Sequence, residues 1–133
     1  MAVIPSSSFT VLLGLGHPDN RNELYEMFGE KEFNILTARS SEEILDKFRE
    51  HPEIALVILA TELAGSNGFE VLKKVKSLKD NIPVFLLSAY ISLESLKLAS
   101  ISGCDEFLQA PVREKELLSL INKHLLKQLK QSI

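Results

Sequence analysis

Short apolar runs alternate with amphipathic stretches five times along the chain. Residues 9–14 are brief and apolar and lead into Gly14-Leu-Gly-His-Pro, which reads as a strand entering a turn. Pro18 suits the first turn of a helix, where its missing N–H is no loss. Leu24, Met27 and Phe28 then recur at helical spacing until Gly29. Residues 33–38 read as a second strand. Ser40, with Glu43 three residues on, reads as a capping box opening a helix through Ile44, Leu45 and Phe48 that His51-Pro52 ends. Residues 54–59 are apolar without alternation, as a central parallel strand covered on both faces requires. Residues 61–66 read as loop.

Asn67 can cap the next helix with Glu70 in the reciprocal position, and Phe69, Leu72, Val75 and Leu78 supply its buried face. Residues 83–87 form a fourth strand, with Pro83 tolerated at its start. Ser92 caps a helix that Gly103 ends, and residues 105–108 form a short fifth strand. Leu117, Leu118, Ile121, Leu125 and Leu129 mark a final helix over about 113–130. This βαβαβαβαβα order, with short connections, dictates a parallel sheet with right-handed crossovers. The expected fold is α/β: a doubly wound five-stranded parallel sheet between two helical layers. Residues 9–130 make the domain, after a flexible lead-in over 1–8 and before a tail over 131–133.

Composition narrows the function classes. The 133 residues carry a net charge of -3 with acids and bases interspersed, so no basic stripe suggests nucleic acid. Cys104, the single cysteine, cannot form an internal disulfide and has no neighbours at metal-ligand spacing, so no metal or cofactor is expected. No apolar run approaches the roughly 18 residues of a membrane span. Residues 1–8 lack the pattern of an export signal, which leaves a cytoplasmic location as the default.

Ligands and reactive groups in open α/β sheets gather at the carboxyl ends of the strands. Here the strands run out at Gly14-Leu15-Gly16, Ala60, Ser88 and Ala110-Pro111. That rim holds glycines, alanines, a leucine and one hydroxyl.

Four blocks carry a family resemblance. Leu63-Ala-Gly-Ser-Asn-Gly-Phe-Glu-Val-Leu72 resembles the stretch after the third strand of two-component receiver domains, often M-P-x-M-D-G-F-E-V-L. Ile82-Pro-Val-Phe-Leu-Leu-Ser-Ala89 resembles their fourth strand, I-P-V-I-x-L-[ST]-A. Gly103-Cys-Asp-Glu-Phe-Leu-Gln-Ala-Pro111 resembles G-A-D-D-Y-L-x-K-P, and Pro18-Asp-Asn-Arg21 matches the start of their first helix. The resemblance implies the CheY-like, flavodoxin-like strand order 2-1-3-4-5.

It also implies a chemistry to look for. Receivers take a phosphoryl group from a histidine kinase onto an aspartate ending the third strand, beside an acidic pair that holds Mg²⁺ and a lysine before the last proline. In this chain the acidic pair falls on Leu15 and Gly16, the acceptor on Ala60 and the lysine on Ala110. The hydroxyl survives as Ser88, and the switch aromatic of the fifth strand corresponds to Phe107. The expectation is a pseudo-receiver that is not an enzyme. It would act by contact with a protein: a histidine kinase, a true response regulator, an output domain, or a second copy in a homodimer.

Two alternatives stand beside it. Glu62 or Asp19 could serve as a non-standard acceptor. The Gly14-Leu-Gly-His-Pro-Asp19 loop could hold a small ligand, although Asp19 opposes a phosphate there. His17 reads as a surface loop residue, and Cys104 as a buried, inert thiol. Ser88 reads as a hydrogen-bonded residue at a strand end, near Tyr90. The helix after Ser92 departs from the receiver pattern: Leu93, Leu96 and Ile101 stand where charges are common, and Lys97 where an apolar residue is usual. That implies either a shifted helix register or an apolar outer patch. Leu93, Leu96, Ile101 and Phe107 are the candidate partner face.

Overall fold

The computed structural model describes residues 9–16 and 33–131. In chain order its elements are β1 (Thr10–Gly14), β2 (Asn34–Ala38), α1 (Ser41–Glu50), β3 (Ile54–Ala60), β4 (Glu62–Leu63), β5 (Ser66–Asn67), α2 (Gly68–Leu78), β6 (Val84–Ser88), α3 (Leu93–Ser102), β7 (Glu106–Gln109) and α4 (Glu114–Gln131). Five of the strands form one sheet in the order β2-β1-β3-β6-β7, every neighbouring pair parallel. This is the doubly wound sheet that the sequence predicts. The lead-in over 1–8, the helix through Leu24, Met27 and Phe28, His17, Asp19 and residues 132–133 lie outside the described residues.

Alternation along the strands splits the core into two layers. Leu12, Val57, Leu59, Val84 and Leu86 face α1 and α2, where they meet Ile44, Phe48, Leu72 and Val75. Val11, Leu13, Leu15, Leu56, Ile58 and Phe85 face the other way, onto Leu117, Ile121 and Leu125 of α4. Each fully buried leucine or isoleucine contributes about 2 kcal/mol of burial. These two layers are what hold the rim in place.

Caps set the helix starts. The side chains of Ser40 and Asn67 accept the N–H groups of Glu43 and Glu70 at 3.2 and 3.0 Å. The expected box at Ser40 is only half made, because the Glu43 carboxylate takes the Arg39 N–H (3.4 Å) instead. The reciprocal box forms at α3, where Ser95 Oγ accepts the Ser92 N–H and Ser92 Oγ accepts the Ser95 N–H. Gly103 closes α3 in the left-handed region at φ 81°.

Two expectations need correction. Residues 61–66 are not plain loop: Glu62–Leu63 and Ser66–Asn67 pair as a small antiparallel hairpin. Its turn takes Gly65 at φ 85°, and Ala64 O accepts the Ser41 N–H at 3.1 Å. Leu78 is exposed rather than buried, and Gly68, Val71, Leu72 and Val75 form the inner face of α2. Polar contacts close the amino-terminal end of the sheet. Asp105 accepts the Val84 N–H (2.8 Å) and the Lys76 ammonium (2.9 Å), while Lys76 also donates to Ile82 O at 2.6 Å.

Candidate functional site

At the carboxyl ends of β1 and β3 a cleft of about 360 Å³ opens between Leu15, Ala60, Thr61, Glu62, Leu87 and Ala110. It is the place where an open α/β sheet presents its chemistry. The side chains there are mostly aliphatic.

Leu15 follows Val11 and Leu13 onto the α4 side of the sheet and is 1% exposed. It lines the cleft, but its bulk belongs to the core. Gly16 is exposed, yet a Cβ on it would lie 3.2 Å from Glu62 O and 3.7 Å from Leu63 Cα, because the hairpin lies across it. Ala60 ends β3 beneath the start of α2. A Cβ on Gly68 would fall 2.3 Å from Ala60 O, so only glycine lets the helix approach this closely. Gly68 N–H donates to Thr61 O, and Thr61 N–H to Leu87 O, both at 2.9 Å. Ala110 N–H donates to Ser88 O at 2.8 Å, and the Ala110–Pro111 peptide is cis.

The one hydroxyl among the four strand ends is engaged locally. Ser88 Oγ donates to Tyr90 O at 2.7 Å and accepts the Tyr90 N–H at 3.4 Å, while the Tyr90 side chain is 76% exposed. Phe107 is half-buried and meets Phe69 edge-on at 6.2 Å. Leu93 and Ile101 are 72% and 80% exposed, and Leu96 and Lys97 are exposed too. The register of α3 is therefore not shifted to bury the leucines. Phe107 stands apart from them, against the core.

Glu62 brings a carboxylate to the cleft. Among the described residues no group of three or more His, Cys, Asp or Glu side chains is placed to hold a metal ion. No helix among them is long and apolar enough to cross a membrane. The Gly14–Asp19 loop is described only to Gly16. Cys104 is half-buried rather than buried, 3.5 Å from Ala99 O. Burial, and then the charges of Asp105 and Glu106, push its thiol above the ordinary range.

Sequence reasoning missed the hairpin over Gly16, although the Ala64-Gly65 pair was a legible turn signal. It also missed His124, which lies 3.0 Å from Glu106 with its ring edge-on to Phe85 at 5.2 Å. His124 sits one helical turn after buried Ile121, which was the available clue. The bond from Gln128 Nε2 to Ala55 O (2.8 Å) spans 73 positions and left no local trace.

Comparison with known proteins gives this geometry a context. The family model of the response regulator receiver domain matches residues 16–122. A cyclic di-GMP phosphodiesterase of Thermotoga maritima is 34% identical over 95 residues, 71% of this chain and 25% of that protein. The sporulation initiation phosphotransferase F of Bacillus subtilis is 27% identical over 104 residues, 78% of this chain and 81% of that protein. The crystal structure of a CheY-like receiver domain protein from Methanospirillum hungatei superposes with a TM-score of 0.85 at 22% identity, covering 92% of this chain and 98% of that one. Several of the curated relatives are much longer, and the chain spans a quarter or less of their length.

Proposed function

The chain belongs to the response regulator receiver domain family, and we propose that it serves two-component signalling as a pseudo-receiver, working through protein contacts without accepting a phosphoryl group. The observation that carries this reading is the end of β3. Ala60 stands there, in a cleft whose lining includes Leu15, Gly16 and Ala110. A methyl group has no lone pair with which to attack phosphorus. Mg²⁺ demands oxygen ligands in near-octahedral array, and the side chains of Leu15 and Gly16 offer none. Developing charge on a phosphoryl group needs a positioned cation or donor, and Ala110 provides neither.

The residues at the rim do not fit a Mg²⁺-dependent phosphoryl site. Leu15 has passed into the core and the hairpin occupies the space over Gly16. Ser88 keeps the hydroxyl but spends it on Tyr90. Without a phosphoryl group, nothing at the rim has differential affinity for two states of Ser88 and Phe107, so the chain does not switch in that way. What remains is a surface. The exposed apolar residues of α3 suit a protein partner: a histidine kinase, a true response regulator, an output domain or a second copy.

Incubation with acetyl phosphate and Mg²⁺, followed by intact-mass measurement, tests the reading. No phosphoryl adduct is expected, and the NMR spectrum should not change with Mg²⁺ and beryllofluoride. An adduct that disappears in the Glu62→Gln variant overturns it in favour of Glu62 as acceptor.

A further inference from the structure

Leu78 is the apolar residue of α2 that the fold leaves over. Val71, Val75 and Leu78 recur down one side of the helix at helical spacing. Val71 and Val75 are buried, but Leu78, a turn further on, is exposed. It emerges where the core stops at the base of the sheet, and there a groove of about 380 Å³ opens between the ends of α1 and α2. Phe48 and Ile54, both buried, form its floor, and Pro52 and Leu78 complete its apolar lining. Sites for small molecules run from about 300 to 1,000 Å³ and are mostly apolar with a few placed polar groups. The groove has the size and the character to take one small molecule.

Its charges are of one sign. The remaining lining residues are Arg49, His51 and Lys79, and among the described residues no carboxylate lines the groove. Both helices end here, and a helix C-terminus disfavours an anion through its unpaired carbonyls. At these two ends carbonyls are taken. Lys47 O and Val75 O accept the His51 and Lys79 N–H groups, each at 3.0 Å, while His51 O and Lys79 O accept those of Ile54 and Ile82 at 3.1 and 3.4 Å. The side chains therefore set the potential. Asp46 stands 3.9 Å from Arg49, and Glu53 stands 3.1 Å from His51 Nδ1. Both of these pairs are exposed, and exposed pairs hold their charges weakly. Lys79 has no ion-pair partner among the described residues. Each helix thus brings a cation to an apolar trough, and the one from α2 is unspent.

We propose that this groove is a binding site for a small carboxylate with an apolar body. The carboxylate faces Lys79 and Arg49, and the body lies over Phe48, Ile54 and Leu78. A neutral molecule of the same shape leaves the cations unused, and an amine is repelled by them. The groove lies at the opposite end of β3 from the rim cleft, so the proposal stands whether or not the rim accepts a phosphoryl group.

Octanoate is the probe, titrated into the isotope-labelled full chain and followed by amide chemical shifts, with octanol and octylamine as its neutral and cationic counterparts. Octanoate is expected to bind with a Kd of about 1 mM or tighter, moving the amides of Phe48, His51, Ile54 and Lys79 and leaving those of Ala60 and Ser88 in place. Octanol should bind about tenfold more weakly, for want of a charge-assisted bond, and octylamine more weakly still. Lys79→Gln should weaken octanoate about tenfold and leave octanol unchanged, whereas Leu78→Ser should weaken both. Both positions are exposed, and circular dichroism checks that the variants fold. Equal affinity for the three probes overturns the proposal, as do shifts confined to the rim, or a Lys79→Gln variant that binds octanoate as the wild type does. A groove that takes only a polypeptide gives no saturable shift up to about 10 mM octanoate, and that result overturns it too. None of these outcomes touches the pseudo-receiver reading, which the acetyl phosphate experiment tests separately.

Discussion

At the amino-terminal end of the sheet, Asp105 holds the first N–H of β6 and the Lys76 ammonium, and Glu106 meets His124 across β7 and α4. At the carboxyl-terminal end, Leu15 is core, Gly16 lies under the hairpin, and Ala60 and Ala110 present methyl groups. One end thus spends its ionisable groups on joining strands and helices. The other ends its strands mostly in aliphatic side chains and close backbone packing. A polar residue at the base repays its desolvation through the fold itself, by satisfying backbone donors and acceptors. A carboxylate at the rim repays it only through a bound cation or a reaction. Where no such use exists, aliphatic residues are the stable filling. The difference teaches that the two ends meet the demands of folding differently, the base through polar pairing and the rim through aliphatic and backbone packing.

Four variants or measurements test that contrast, from the largest effect down. Leu15→Asp puts a carboxylate into the layer between β1 and α4, and should cost at least about 4 kcal/mol in urea unfolding; a stable variant would mean that Leu15 is not core. Gly68→Ala drives a methyl into the Ala60 carbonyl and should cost about 3 kcal/mol, showing that the rim is held by backbone contact. Asp105→Ala leaves the Val84 N–H without its carboxylate acceptor and Lys76 without its ion pair, and should cost about 2 kcal/mol. An Asp105 variant of wild-type stability would dissolve the distinction between the two ends. The smallest effect concerns rate alone. The folded-state pKa of Cys104 is raised, so less thiolate is present near pH 8 than in the unfolded chain. Iodoacetamide should label the native protein more slowly than the urea-unfolded one, and the ratio should narrow as pH rises toward the folded-state value. Equal labelling at every pH would remove the influence of burial, and after it of Asp105 and Glu106, on this thiol.

Much of this was legible along the chain. The unbroken apolar run of β3, the capping residues Ser40, Asn67 and Ser92, and the stop at Gly103 fixed elements close to where they stand. They are local signals, because a strand buried on two faces and a capped helix end each write their needs into a few adjacent residues. The four rim residues, Leu15, Gly16, Ala60 and Ala110, could be named from their places after the strands. What each does there could not. That Leu15 turns inward depends on the pleat of β1 meeting α4, about a hundred residues further along. That Gly16 has a roof depends on the hairpin at Glu62–Leu63.

The case of α3 shows the boundary most clearly. Its composition left a shifted register and an outer apolar patch equally open, because leucines recur all round the helix and give it no strong face of its own. Packing chose: Ala99 is buried and Ser95 and Ser102 are half-buried, while the bulky residues stay exposed. The amino-acid order by itself determined the five strands of the main sheet, the helices after Ser40, Asn67 and Ser92 and the final one, the parallel arrangement and the identity of the atoms at the rim, since those follow from periodicity and covalent chemistry. Only the folded molecule decided which of those atoms face a core, a neighbouring backbone or water, because burial is settled by groups that are distant in the chain and close in space.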